Sequence, residues 1–253
     1  MSGFNRIGFE HHPFSSAFIG VNRRIPLPYP RAVESTCRFN SGGRTASLPR
    51  MSVSLVTGGN GKLGLAIAQA LLEAEATSQV WLGVRSRRDQ ADAWAAQMPD
   101  RSRCVALDVT DPTAWRRAVA EIESVSGRLD VLVNNAGLAE DALLATMTPE
   151  SWTRVLSTNL DSVFHGSQAV LPGMISRRSG RIINIASLSA LLAPAGQGNY
   201  AAAKAGVLGL THSLAKEVAR LGITVNAVCP GYIDTEALTH LAPERRQAAV
   251  ASI

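Results

Sequence analysis

Cysteine is scarce in this sequence of 253 residues, with three in all. Cys37, Cys104 and Cys229 stand too far apart to form a metal-ligand set, and so few cannot staple a small disulfide scaffold. Cys104 and Cys229 lie inside the apolar runs CVALDV and VNAVCPG, where a reduced thiol behaves as a small buried hydrophobe. Reduced thiols fit a cytoplasmic compartment. Long hydrophobic runs are also missing. None approaches the roughly eighteen apolar residues of a membrane-spanning helix, so no membrane partner is expected. Acidic residues are nearly missing from the first fifty positions. Glu10 and Glu34 face seven arginines there, and that imbalance accounts for the whole net charge of +5. The remainder is balanced, so nothing in its charge calls for a nucleic-acid partner.

Residues 1–50 lack any sustained helical or strand period and are rich in Ser, Arg, Pro and Gly, as in IPLPYPR and NSGGRTASLPR. Such a segment buries too little apolar surface to offset its ordering entropy. It is expected to be a disordered or targeting-like tail. An organellar transit peptide, an extension upstream of a true start at Met51, and a phosphate-binding arm all stay open. Its deletion is expected to leave melting temperature and activity almost unchanged.

From Met51 onward the pattern alternates. Strand-like runs are SVSLVT, VWLGV, RCVALDV, DVLVNNA, RIINIAS and ITVNAVC. Between them lie helical patterns near Leu63–Glu75, Arg88–Gln97, Asp111–Ser126, Pro149–Arg177 and Tyr200–Arg220. Strands that are apolar almost throughout suit a parallel sheet with helices on both faces. The expected fold is therefore α/β: a doubly wound, mostly parallel Rossmann-type sheet in a single domain over residues 51–253, with its ligand beyond the carboxyl ends of the strands.

The run SVSLVT passes directly into Thr57-Gly58-Gly59-Asn60-Gly61-Lys62-Leu63-Gly64 and then into LAIAQALLEA. Glycines at a strand-to-helix turn let the backbone approach a pyrophosphate, and the helix start offers free N–H groups. This points to a dinucleotide cofactor. The run VWLGV is followed by Arg85, with Arg87 and Arg88 beyond and no acid before Asp89. A cation there favours the 2′-phosphate of NADP over the bare ribose of NAD. Asp108 ends the next strand, where it could take the adenine amino group or cap the following helix; Thr110 and Asp111 are caps of the same kind.

Four further features follow in order: Asn134-Asn135-Ala136-Gly137, Ser187 after a strand, Tyr200-Ala201-Ala202-Ala203-Lys204 opening a helix, and Pro230-Gly231-Tyr232-Ile233-Asp234-Thr235 after the last strand-like run. Together they closely resemble the short-chain dehydrogenase/reductase family, over nearly all of residues 52–253. Within it the stretches NNAGLAEDALLATM, GRIINIAS and NYAAAKAGVLGLTHSLAKEVARLGITVNAVCPGYIDT are most similar to bacterial 3-oxoacyl-(acyl-carrier-protein) reductases. The resemblance implies a catalytic set of Asn159, Ser187, Tyr200 and Lys204. Tyr200 would protonate the carbonyl oxygen, Ser187 would bond that oxygen, and Asn159 would hold a proton-relay water. It implies cofactor contacts from Gly58, Asn60, Gly61, Lys62, Leu63, Gly64, Arg85, Asp108, Val109, Asn135, Ala136, Gly137, Tyr200, Lys204, Pro230, Gly231, Ile233 and Thr235, and no metal. Tyr200 and Lys204 are four apart, so a helix puts them on one face. The ammonium group is expected to draw the phenol's pKa downward. His165 and His212 lie inside helical patterns and are expected to be packing or surface residues.

The expected activity is NADP-linked reduction of a ketone to a secondary alcohol, on a free carbonyl or one bound to a carrier protein, in fatty acid synthesis. Arg177 and Arg178 are candidates to meet an acidic carrier. Two alternatives stay open: a general alcohol, sugar or hydroxysteroid dehydrogenase, and a catalytically silent dinucleotide-binding protein. A homo-oligomer is expected. Two departures from the family pattern bear on these expectations. Lys62 stands where the glycine loop's middle glycine is usual, which places a cation near the phosphates. The family's final helix and strand would follow where this sequence stops, at Ile253. Without them ITVNAVC is expected to be an exposed edge that invites self-association and weakens activity.

Overall fold

A computed structural model describes residues 17–19 and 52–233. Six parallel strands form the body of the sheet: β2 (Val53–Thr57), β3 (Gln79–Val84), β4 (Ser102–Ala106), β5 (Val131–Asn134), β6 (Gly180–Ile185) and β7 (Ile223–Cys229). A short strand β1 (Ala17–Ile19) lies antiparallel on β7, pairing Ala17 with Cys229 and Ile19 with Ala227. The order is β1-β7-β6-β5-β2-β3-β4. Chain direction along the sheet reverses between β2 and β5, and at this switch point the loops after the two strands part to leave a crevice.

The expected α/β alternation is present. Helices α1 (Lys62–Ala74), α2 (Asp89–Ala95), α3 (Pro112–Ser126), α4 (Pro149–Leu156), α5 (Ser162–Arg177), α6 (Ser189–Leu192) and α7 (Gly198–Val218) connect the strands. Every residue of β2 and of β5 is buried, as their unbroken apolar runs require. One core layer gathers Leu55, Trp115, Ile122, Leu132, Met174 and Ile182. The opposite layer gathers Val56, Ala68, Leu72, Leu82 and Val133. Successive residues of β2, Leu55 and Val56, thus feed opposite cores, which is the period-two geometry of a strand covered on both sides. The Trp115 indole N–H donates to the Val109 carbonyl at 3.0 Å, so its burial leaves no polar orphan.

Three sequence expectations change here. The pattern Pro149–Arg177 is not one regular α-helix: residues Ser157–Asp161 form a π-helical turn between α4 and α5. The strand ITVNAVC is only partly an open edge among the described residues, because β1 pairs with its last three residues, Ala227, Val228 and Cys229. Strand β1 falls in the segment expected to lack order; the rest of residues 1–50 lies outside the described residues, as does Thr235.

Arg177 and Arg178 are also placed unexpectedly. They end α5 and precede β6, at the amino end of the sheet and away from the crevice. The Arg177 guanidinium is already engaged, donating to the Leu129 carbonyl at 2.7 Å and to Glu123 at 3.3 Å. Arg178 donates to the Arg220 carbonyl at 2.7 Å. Both bonds tie the end of α5 to neighbouring segments, and Arg178 keeps an exposed side chain there.

Candidate active site

The crevice floor is a junction between the ends of β2 and β5. The Thr57 hydroxyl accepts from the backbone N–H of Asn135 and of Ala136, each at 2.9 Å. The Asn135 side chain donates to the Thr57 carbonyl at 2.8 Å. Gly58 then turns the chain with φ +65°, a conformation that costs other residues roughly 1 kcal/mol or more. No side chain caps α1, and no acidic residue stands in its first turn. Its first amides therefore face the crevice as an anion site. Gly58, Asn60, Arg85, Asp108, Val109, Ala136 and Gly137 line one continuous cleft, together with Arg87 and Thr158. Arg87 and Thr158 were not among the expected contacts. Gly61, Lys62, Leu63 and Gly64 form the loop end and helix start beside it, and the Lys62 side chain has no ion pair or hydrogen bond among the described residues.

The helix-cap alternative for Asp108 falls to Asp111, which caps α3 by accepting from the Thr113 N–H at 2.7 Å. Asp108 instead takes the Thr110 hydroxyl at 2.7 Å and N–H at 2.9 Å, and faces the Arg85 guanidinium at 3.8 Å. Partial burial opposes its charge, but these donors and Arg85 win and hold its carboxyl below the usual range.

Ser187, Tyr200, Lys204 and Asn159 converge at the other end of the cleft. Ser187 follows β6, and Tyr200 and Lys204 share one face of α7. The Lys204 side chain is buried, with its Nζ donating to the Ile185 carbonyl at 2.7 Å. Burial lowers its pKa to about 8, against a smaller upward pull from Cys229. Its ammonium lies over the Tyr200 ring, 5.6 Å from the centroid, rather than at the hydroxyl. The expected depression of the tyrosine pKa is therefore not present. Burial raises it; the Ser187 hydroxyl pulls the other way, and the Asp141 carboxylate adds to the rise. The phenol is held as a neutral acid, the form that donates a proton.

Asn159 sits fully buried within the π turn. Its Nδ2 donates to the Val155 carbonyl at 2.8 Å and the Leu138 carbonyl at 2.7 Å. The side chain thus takes a main-chain acceptor that a regular α-helix would fill, which accounts for the local widening. Its Oδ1 is buried and unpartnered. A buried acceptor without a donor is costly, so this oxygen is suited to a bound water or a ligand group. Gly137 makes room for it: a Cβ there would stand 2.6 Å from Asn159 Oδ1 and 3.6 Å from Lys204 Nζ. Pro230, Gly231 and Ile233 follow β7 beside Ser187, with the Pro230 carbonyl accepting from the Leu188 N–H at 2.9 Å. Thr235 lies outside the described residues.

The residues present fit a nicotinamide dinucleotide. The glycine turn and the uncapped start of α1 lie at one cleft, and the buried Lys204 amine and orphan Asn159 oxygen stand just behind Gly137, which lines it. Such a group supplies hydride chemistry when bound. Lys204 would hold its nicotinamide ribose, and Tyr200 and Ser187 would bond the oxygen of a reacting carbonyl or alcohol.

Comparison with known proteins agrees with this geometry. The profile of the short chain dehydrogenase family matches residues 52–246. A 3-oxoacyl-(acyl-carrier-protein) reductase of Vibrio cholerae is 43% identical over 201 residues, covering 79% of this chain and 81% of the relative. The corresponding reductase of Escherichia coli is 40% identical over the same length and coverage. Nodulation protein G of Azospirillum brasilense is 42% identical over 204 residues, covering 79% of this chain and 82% of that protein. The crystal structure of a short-chain dehydrogenase from Streptomyces avermitilis superposes with a TM-score of 0.69 at 35% identity, covering 74% of this chain and 67% of the other. The chain belongs to the short-chain dehydrogenase family and is an oxidoreductase that acts on CH–OH groups with a nicotinamide dinucleotide.

Proposed function

We propose that this protein is an NADP-linked reductase of 3-oxoacyl thioesters carried on an acyl-carrier protein, working in fatty acid synthesis as a cytoplasmic homo-oligomer. The observation that carries the reading is the half-buried Tyr200 beside Ser187, its pKa raised, with exposed Leu143, Leu144, Leu191 and Leu192 on the neighbouring loops. A polar reacting end enters toward the phenol, and an aliphatic chain has apolar surface to lie on. In reduction Tyr200 gives its proton to the carbonyl oxygen, Ser187 bonds that oxygen as charge develops, Lys204 would hold the nicotinamide ribose, and Asn159 offers a free acceptor for a water or ligand group beside it. The similarity to the Vibrio and Escherichia reductases supports the thioester class. Exposed Trp152, Phe164 and Ile175 on α4 and α5 give apolar surface for a second copy.

For the cofactor, Arg85 and Arg87 line the adenosine end of the cleft, and no carboxylate stands at the end of β3. Arg87 is held at φ +52°, a strained conformation of the kind that clusters at functional sites. Two guanidinium groups match a 2′-phosphate. Arg85→Asp is expected to weaken NADPH binding by tenfold or more while changing NADH binding about twofold or less. Fluorescence titration of both cofactors checks this, and equal changes in the two dissociation constants would contradict it. The substrate class is tested by following NADPH loss with acetoacetyl thioester against simple ketones, sugars and steroids. A strong preference for the thioester is expected. Turnover of another class alone would overturn the thioester reading, and no turnover by any would favour a silent binding protein.

A further inference from the structure

The loop after β5 is strapped to the segment that opens α7. The Ala142 N–H donates to the Gly196 carbonyl at 2.8 Å, and Ala142 forms an isolated bridge with Gln197. The Asn199 amide donates to the Glu140 carbonyl at 3.0 Å, while Asn199 Oδ1 accepts the Tyr200 N–H at 2.7 Å. Side chains complete the strap. Gln197 Nε2 donates to Asp141 Oδ2 at 3.0 Å, and Gln197 Oε1 accepts from the Ser189 hydroxyl at 2.8 Å. The Ser189 N–H then donates to the Ser187 hydroxyl oxygen at 3.1 Å. A continuous chain of hydrogen bonds therefore runs from the Asp141 carboxylate to Ser187, next to Tyr200.

Asp141 has no cation partner among the described residues; its neighbour Glu140 does, in Arg154 at 2.8 Å. The charged and titratable groups around the phenol are thus few. Lys204 lies over the ring from within α7, Cys229 stands behind Lys204, Ser187 faces the hydroxyl, and Asp141 lies at the mouth. We infer that Asp141 is a positioning residue with two tasks: it anchors Gln197, and so the loop carrying Ser187, and its carboxylate at the mouth makes a negative charge on the nearby Tyr200 oxygen less favourable. The inference rests on the reading of Tyr200 as the acid. The direction follows from charge alone, since an unpaired carboxylate opposes formation of a phenolate. Its size is limited because Asp141 is exposed and its field is screened.

Asp141→Asn separates the two tasks, because an asparagine oxygen still accepts from Gln197. The Tyr200 pKa should fall, most clearly at low salt. The basic limb of the reduction pH profile should move down by the same amount, and alcohol oxidation below that limb should rise by roughly twofold to threefold. Raising the salt concentration should shift the wild-type profile toward that of the variant. Gln197→Ala, which breaks the strap and keeps the charge, should lower kcat without moving the limb. Tyrosinate absorbance of the whole chain, corrected with Tyr200→Phe, reads the same shift without any substrate. If no carbonyl compound is turned over, the proposed function fails, yet this titration still decides the role of Asp141. A titration midpoint in Asp141→Asn equal to that of wild type would overturn the inference, as would a shift of the same size in Gln197→Ala.

Discussion

Tyr200→Phe is expected to lower reduction at least about a hundredfold while leaving the cofactor dissociation constant within about twofold. The substitution removes one oxygen from a ring that stays packed in α7, and the Lys204 ammonium keeps its place over the ring face. Ser187 still bonds the substrate oxygen, so polarisation survives and only the proton source is lost. The loss is then the size of a general acid, roughly two to four orders of magnitude. Single-turnover kinetics with prebound NADPH check this. Turnover within about tenfold of wild type would move the proton source to another group and remove the basis for reading Asp141 as its regulator.

Lys204→Met should be equally damaging to turnover and opposite in sign for stability. The lysine is 3% exposed, and burial has pulled its pKa from 10.5 to about 8. Between those values the unfolded chain binds more protons than the folded one, so wild-type stability rises as pH increases through that window. Below about pH 8 the folded chain carries the full cost of a buried ammonium, about 3 kcal/mol from the size of the shift. The bond to the Ile185 carbonyl, worth about 1–2 kcal/mol, offsets part of it and is lost in the variant. Urea unfolding at pH 7 should therefore find Lys204→Met more stable than wild type by about 1–2 kcal/mol, with the rise toward pH 10 gone. Turnover should fall by about a hundredfold or more, and cofactor binding should weaken, because the amine would hold the nicotinamide ribose. A variant that is both less stable and still active would show that Lys204 is a packing residue.

Much of this was legible in residues alone. Buried parallel strands read as unbroken apolar runs, so VSLVT and VLVN announced β2 and β5, and the glycine turn between a strand and a helix marked the crevice. The quartet of Asn159, Ser187, Tyr200 and Lys204 came from the family resemblance, and only the helical spacing of Tyr200 and Lys204 was legible in the residues themselves. The π turn at Ser157–Asp161 was not, because it arises from side-chain capture of the Val155 carbonyl and leaves the apolar period of Pro149–Arg177 intact. Arg177 and Arg178 were legible as a basic pair but not as lying at the amino end of the sheet, because sequence gives a charge and not which end it occupies. The direction of the Tyr200 pKa depended on where a flexible amine points, and the bond to the Ile185 carbonyl settles that only in three dimensions. The strap through Asp141, Gln197 and Ser189 joins segments 48 to 56 positions apart by polar contacts that no periodic pattern records. β1 is only three residues long, too short for a period to emerge from an Arg-rich background.

The central claim is that the cleft passes hydride to a carbonyl carbon while Tyr200 protonates its oxygen. Incubating the protein with nicotinamide-deuterated NADPH and a 3-oxoacyl thioester tests it directly. The account predicts a 3-hydroxyacyl product carrying one deuterium on C3, formed by wild type and nearly absent with Tyr200→Phe. Recovery of the labelled cofactor and the ketone unchanged, or a product formed equally well by both proteins, would contradict it.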